Sequence, residues 1–246
     1  MPFILTSDQQ KQAKRRLAHV NLSFAPIDPV PISFYCKWRD EYLNRNANFH
    51  NNNGSNDVDL SNEDLAVIFN AKKVSDLIKD KVGQYLTVHF MCNDKGKKFN
   101  KLTAGMCVLG TGQKPNSNTQ YLLPNGNSGV KNAEKQQFAD RNIKIGQLGD
   151  TNFNDMEAIS HLIDTKLLAI FKDFETKGNK VKVIFAKIPA NEQGVINGVI
   201  VNPTVKDKLI VIFAPNSFDE NIKESDITPF STDIVYDFGS GCCPPA

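Results

Sequence analysis

No stretch of the 246-residue chain stays apolar for the ~18 consecutive residues that a bilayer-spanning helix needs, so nothing is expected to cross a membrane. No secretory leader is expected from the N-terminal residues. Met1-Pro2-Phe3-Ile4-Leu5-Thr6 is too short an apolar patch, with no basic segment before it. Charge of one sign is not in excess either: 29 Lys/Arg against 27 Asp/Glu leave +2, which selects no class of partner. Cysteine is sparse and odd in number. Cys36, Cys92, Cys107, Cys242 and Cys243 follow no regular spacing, which argues against a secreted disulfide framework. A cytoplasmic location with free thiols is the expectation.

The usual signatures of catalysis and cofactor binding are missing as well. The four histidines, His19, His50, His89 and His161, are scattered, and there is no C-x-x-C pair or H-E-x-x-H helix to hold a metal. No metal and no cofactor are expected. Gly105 to Lys114 is glycine-rich, but Pro115 and an Asn/Ser run follow where a phosphate loop needs a helix. It reads as a strand leaving a sheet through a turn. There is no Gly-x-Ser-x-Gly elbow, and Asp237-Phe238-Gly239 has none of the other kinase elements around it.

What the chain has is a core-forming composition, 40% hydrophobic and 23% charged, which suits an ordinary globular protein of this size. Ser7-Asp8-Gln9-Gln10 is a capping box that opens a helix to about Leu17. Pro26, Pro29 and Pro31 make the next stretch an extended connector. Tyr35, Trp38 and Tyr42 then recur at helical spacing, with Phe34 beside them. Together these form an N-terminal helical, Pro-rich arm, residues 1–45. Residues 46–60 form an Asn-rich loop, residues 61–236 a core domain, and residues 237–246 a Gly/Cys/Pro tail.

Within the core the pattern is α+β with a mainly antiparallel sheet. One helix is expected over 61–80, capped by Ser61, and a longer one over 154–177, capped by Asn154. In the longer one Met156, Ile159, Ile163, Leu167, Ile170 and Phe174 recur every three or four residues, so Ile163 and Ile170 are expected inside, with His161 at the boundary. Strands are expected at Tyr85–Cys92, Lys101–Leu109, Gln120–Leu123, Val181–Ile188, Val195–Val201 and Leu209–Ala214. The last is apolar throughout and therefore central. Aligning Gly83 with Gly178 superposes Leu86, Val88 and Phe90 on Val181, Val183 and Phe185. That is either a duplicated helix-plus-meander unit or convergence on a common strand pattern.

Three functional readings follow. The leading one is a non-enzymatic structural or interaction protein, a subunit of a homo-oligomer or larger assembly. It would dock through Phe34, Tyr35, Trp38 and Tyr42 of the arm and through Cys242 and Cys243 of the tail, because aromatics are favoured interface anchors. Its partner is then a protein or a second copy, with no membrane and no expected nucleic acid. The alternative is a thiol-dependent enzyme with a dispersed site that pairs Cys36, Cys92 or Cys107 with a histidine. The third is a nucleic-acid-binding domain using the Lys95–Lys101 turn, where Lys95, Lys97, Lys98 and Lys101 surround Phe99.

Overall fold

The computed structural model describes residues 28–30, 32–53, 60, 64–92, 102–147, 157–190, 195–196, 199–200, 208–226, 235–237 and 240–241. Among these are four helices: α1 (Ile32–Asn53), α2 (Ala71–Ile78), α3 (Asn132–Gln147) and α4 (Thr165–Thr176). The strands are β1 (Asp28–Val30), β2 (Ala66–Asn70), β3 (Tyr85–Cys92), β4 (Leu102–Leu109), β5 (Tyr121–Leu122), β6 (Ser128–Gly129) and β7 (Ala158–Leu162) in the first part of the chain. They continue as β8 (Lys180–Lys187), β9 (Val195–Ile196), β10 (Val199–Ile200), β11 (Leu209–Pro215), β12 (Val235–Asp237) and β13 (Ser240–Gly241). The fold is α+β, and every strand pairing is antiparallel.

Two larger sheets carry the fold. One runs β1-β12-β11-β8-β2 and the other β13-β7-β3-β4-β5-β6; β9 and β10 form a separate hairpin. The order β12-β11-β8-β2 repeats β5-β4-β3-β7. Within each of these four-strand runs three strands come from one half of the chain and the fourth, β2 or β7, is lent by the other half. The strands β3 and β8 sit at the join: β3 pairs with β7 over Tyr85–His89, and β8 pairs with β2 over Lys180–Ile184.

The helices repeat too. Arg39, Tyr42, Arg45, Asn46 and Phe49 of α1 fall, at one constant spacing, on Lys135, Phe138, Arg141, Asn142 and Ile145 of α3. Tyr42 and Phe138 are fully buried, and each lies under an arginine three residues on. The Arg45 guanidinium is 5.5 Å from the Tyr42 ring centre, and that of Arg141 is 5.9 Å from the Phe138 ring centre. Tyr42 meets Phe185 at 6.4 Å, Phe185 meets Phe90 at 6.1 Å, and Phe90 meets Phe138 at 5.5 Å. The rings thus form a line of four that alternates between the halves, within one continuous core.

The strand positions agree with the sequence reading at Tyr85–Cys92, Leu102–Leu109 and Tyr121–Leu122, and in β8 and β11. Every residue of β11 is buried, as a central strand requires. Gly83 and Gly178 both have positive φ, 84° and 107°, and both let the chain turn from a helix into the following strand.

Four expectations are corrected. Residues 61–80 are not one helix: Ala66-Val67-Ile68-Phe69 is strand, and the helix is capped by Asn70, whose Oδ1 accepts from the Lys73 amide at 3.0 Å. In place of the helix expected over 154–177, Ala158–Leu162 is a strand, β7, and a shorter helix follows, capped by Asp164, which accepts from the Leu167 amide at 2.7 Å. Strands buried on both faces are apolar at consecutive positions, so a three-to-four spacing can be picked out of them by chance. The Asn-rich stretch is helical as far as Asn53, because Arg45, Asn46 and Phe49 turn inward on α1 and are buried. The strand expected over Val195–Val201 is not a single one: Val195–Ile196 (β9) pairs antiparallel with Val199–Ile200 (β10). The first helix (7–17), the positions Ser61 and Asn154, and the Lys95–Lys101 turn lie outside the described residues.

Ile163 is fully buried and Ile170 is 7% exposed, but they belong to different elements: Ile163 follows β7, while Ile170 is in α4. Replacing Phe90 or Phe185 by alanine is expected to cost about 3–5 kcal/mol each. Urea unfolding of the two single variants and the double variant should also give a coupling of about 0.5–1.5 kcal/mol between the rings. Strict additivity would contradict their direct contact.

Candidate functional site

Two polar clusters interrupt the apolar interior. The first is built on the face of the β3–β4–β7 sheet that points away from Leu86, Val88 and Phe90. Alternation along β3 places Thr87, His89 and Met91 on that face, and the register adds Cys107 opposite Thr87, Gly105 opposite His89 and Ser160 opposite Thr87. Gly105 leaves room that Met91 and Tyr121 fill. A Cβ there would lie 2.6 Å from Met91 Cε and 3.2 Å from Tyr121 Cβ. The Tyr121 ring meets His89 edge-on at 5.2 Å, and its hydroxyl accepts from Lys135 Nζ of α3 at 3.1 Å. Thr87 Oγ1 and Ser160 Oγ share a hydrogen bond of 3.0 Å.

This cluster is sealed. Thr87 and Ser160 are fully buried, His89 and Cys107 are 2% exposed, and neither nitrogen of His89 has a hydrogen-bond partner. Burial lowers the His89 pKa to about 3, with the nearby Lys135 charge acting in the same direction. Burial pushes the Cys107 thiol up to about 12 against the opposing pull of Lys135. A neutral imidazole and a protonated thiol therefore share this face at neutral pH.

The second cluster joins α1 to the segment after β11. Tyr35 Oη donates to the Glu220 carbonyl at 2.6 Å, and Cys36 Sγ donates to that of Ile222 at 3.4 Å. Arg39 Nη1 donates to both carbonyls, at 3.2 Å for Glu220, while its Nε donates to Asp40 at 2.8 Å. Lys182 of β8 donates to the Phe218 carbonyl at 2.7 Å and pairs with the Glu220 carboxylate. An open cleft of about 400 Å³ lies alongside, lined by Cys36, Arg39, Asp40 and Glu41 of α1 and by Lys223 and Glu224. Burial pushes the Cys36 thiol up although Arg39 opposes the shift, and burial raises the Tyr35 hydroxyl as well. The donors here are spent on backbone carbonyls and on the carboxylates of Asp40 and Glu220, so the arrangement holds a loop to a helix.

The residues singled out from sequence are distributed as follows. Tyr35, Trp38 and Tyr42 are fully buried in the chain's own core, and Phe34 packs half-buried against it, 5.9 Å from Trp38. In this structure they pack inward and do not present a free surface. Cys242 and Cys243 lie outside the described residues. Cys36, Cys92 and Cys107 are free thiols and all are buried. Neither His89 nor His161 makes a hydrogen bond, so neither pairs with a cysteine. His161 is not at a boundary: it stands opposite Leu86 on the inner face, 5.0 Å from the Phe213 ring and 2% exposed. Among the described residues no three His, Cys, Asp or Glu side chains gather closely enough to hold a metal ion. No helix among them is long and apolar enough to cross a membrane.

Lys135 and Arg39 were not singled out from sequence. Lys135 sits on a helix whose apolar residues, Phe138, Ile143 and Ile145, are too few to show periodicity. Its match to Arg39 becomes readable only after α1 and α3 are superposed. Compared with protein families, with curated proteins and with solved structures, the chain shows no match.

The two buried histidines have a consequence for stability. Burial lowers the His161 pKa from 6.5 to about 3, as it does for His89. Between these values the unfolded chain takes up protons that the folded rings refuse, so stability falls as pH drops from 6.5 towards 3. His161→Leu should flatten part of that acid limb when urea midpoints are compared between pH 7 and pH 4. Parallel wild-type and variant curves would contradict the buried, neutral state of His161.

Proposed function

We propose that this protein is a non-enzymatic structural or interaction protein that works as a subunit of a homo-oligomer or larger assembly in the cytoplasm. The observation that carries the reading is the edge of β2, which no other described strand covers. This strand ends its sheet, its sequence Ala66-Val67-Ile68-Phe69-Asn70 has no charge and no proline, and Ile68 is 42% exposed. Edge strands that work alone are usually blunted by lysine, proline or a bulge, because an open row of amides and carbonyls invites pairing. An unprotected, apolar edge fits a chain that meets another protein there.

The interior adds support. His89, His161 and Cys107 are held in forms unsuited to proton transfer or nucleophilic attack at neutral pH. The arm contributes to self-assembly indirectly, by completing the core on which the edge is mounted. A second reading, a thiol-dependent enzyme, draws on Cys36 beside Arg39 in the open cleft. It requires a thiolate, which the upward shift of Cys36 opposes.

Native mass spectrometry of the purified full chain tests the proposal. The expected result is a multiple of the 27.4 kDa chain mass, or a stoichiometric complex with another protein. A single chain at every concentration, with no retained protein, would contradict it.

A further inference from the structure

We infer that His89, Met91 and Cys107 form a binding site for one soft monovalent metal ion, Cu(I), over Gly105 of the β3–β4 pair. The site is independent of the self-association reading above. His89 stands directly opposite Gly105, Met91 lies two residues along β3 and Cys107 two residues along β4, all on one face of the sheet. Residues opposite each other in an antiparallel pair keep their Cβ positions about 4.5–5.5 Å apart. Gly105 has no Cβ, and the Met91 thioether takes the space: its Sδ lies 3.1 Å from where that Cβ would be. The thioether thus sits over the residue that has His89 across the ladder and Cys107 next on the same face of its own strand.

Further observations point to a ligand at this place. His89 is 2% exposed, and neither ring nitrogen has a hydrogen-bond partner. A buried imidazole without partners has given up its hydrogen bonds to water, and a metal bond to one nitrogen would replace part of that loss. Burial keeps the ring neutral, which is the form that ligates. The Lys135 ammonium acts on His89 and on Cys107 alike, so the imidazole and the thiol lie within reach of one group. Met91 and Cys107 also pack in one small cluster with Leu109 and Tyr121.

The donors and the charge select the metal. Thiolate and thioether are soft ligands that favour Cu(I), and imidazole binds copper as well. The third donor is a methionine sulfur, so the site does not need three His, Cys or carboxylate side chains, which do not gather among the described residues. Binding forms a copper–sulfur bond, breaks the S–H bond of Cys107 and releases its proton to solvent, with no change of oxidation state. One positive charge enters as one leaves, so the total beside Lys135 is unchanged, and the ammonium itself favours the thiolate. A divalent ion would add an uncompensated charge to a buried place next to that ammonium.

The test is equilibrium competition for Cu(I) with the chelator bicinchoninate, run without oxygen on the folded full chain until the spectrum is constant. The chain carries Cys242→Ser and Cys243→Ser, because an adjacent thiol pair would compete for the metal, and folding is checked by circular dichroism. This protein is expected to retain one Cu(I) per chain, with two sulfur neighbours and one nitrogen by X-ray absorption. Cys107→Ala and Met91→Leu should each weaken retention by roughly tenfold or more, as loss of a ligand requires. Cys36→Ala, in the other polar cluster, should leave it unchanged. No copper retained, sulfur neighbours alone, or equal retention after either Cys107→Ala or Met91→Leu would overturn the site. If Cys107→Ala does not fold, Met91→Leu decides, since it conserves volume and apolar character.

Discussion

The contact between Phe90 and Phe185 is the point on which the architecture depends. The two rings occupy equivalent places in the two halves of the chain, on the central strands β3 and β8, and they touch at 6.1 Å. Each is braced from the other side by a ring on a helix, Phe138 for Phe90 and Tyr42 for Phe185. Because the helix that braces a strand belongs to the opposite half, neither half can bury its own central aromatic. The lent strands β2 and β7 impose the same condition on the sheets. Folding either half alone would leave a strand edge and an aromatic face exposed, and the large apolar term that offsets chain entropy would be lost.

That interdependence also explains where the polar groups are. The interior carries Thr87, His89, Ser160 and Arg141 on the β3 side and Tyr35, Arg39 and Lys182 on the β8 side. The first set is enclosed between strands and α3; the second ties the segment of Phe218, Glu220 and Ile222 to α1. Satisfied buried polar contacts fix one arrangement among several that apolar packing alone would allow. Here the donors of Arg39, Tyr35 and Lys182 end on the carbonyls of Phe218, Glu220 and Ile222 and on the carboxylates of Asp40 and Glu220, which holds a connection in place and leaves little for chemistry on a ligand. His89 and His161 are tolerated because an imidazole can stay neutral at modest cost.

Much of the sheet was legible from the sequence. Tyr85–Cys92 alternates cleanly, and Leu209–Ala214 is apolar throughout, so its central position followed from composition alone. The α+β class and the matching Leu86/Val181, Val88/Val183 and Phe90/Phe185 positions were legible for the same reason. The entry to each half was not. Ile68 and Phe69, like Ile159 and Ile163, satisfy helical spacing while lying in or beside strands, and Ser61 and Asn154 are attractive caps that mask Asn70 and Asp164. The helix α3 was silent because its inner face includes Lys135 and Arg141, which a hydropathy pattern counts as exposed. Of the candidate interaction residues, the arm aromatics were correctly grouped on a helix, but sequence could not tell whether their partner was another chain or their own core. The edge of β2 was invisible for a different reason: an edge is a property of pairing, and no residue type announces it.

Native-state hydrogen exchange, followed peptide by peptide with increasing urea, tests the exchanged-strand account most directly. If each half completes the other, the amides of β3 and β8 should exchange only through global opening, with one shared free energy and one shared urea dependence. Exchange of β8 through a smaller opening, while β3 keeps full protection, would show that the halves fold separately and would contradict the account.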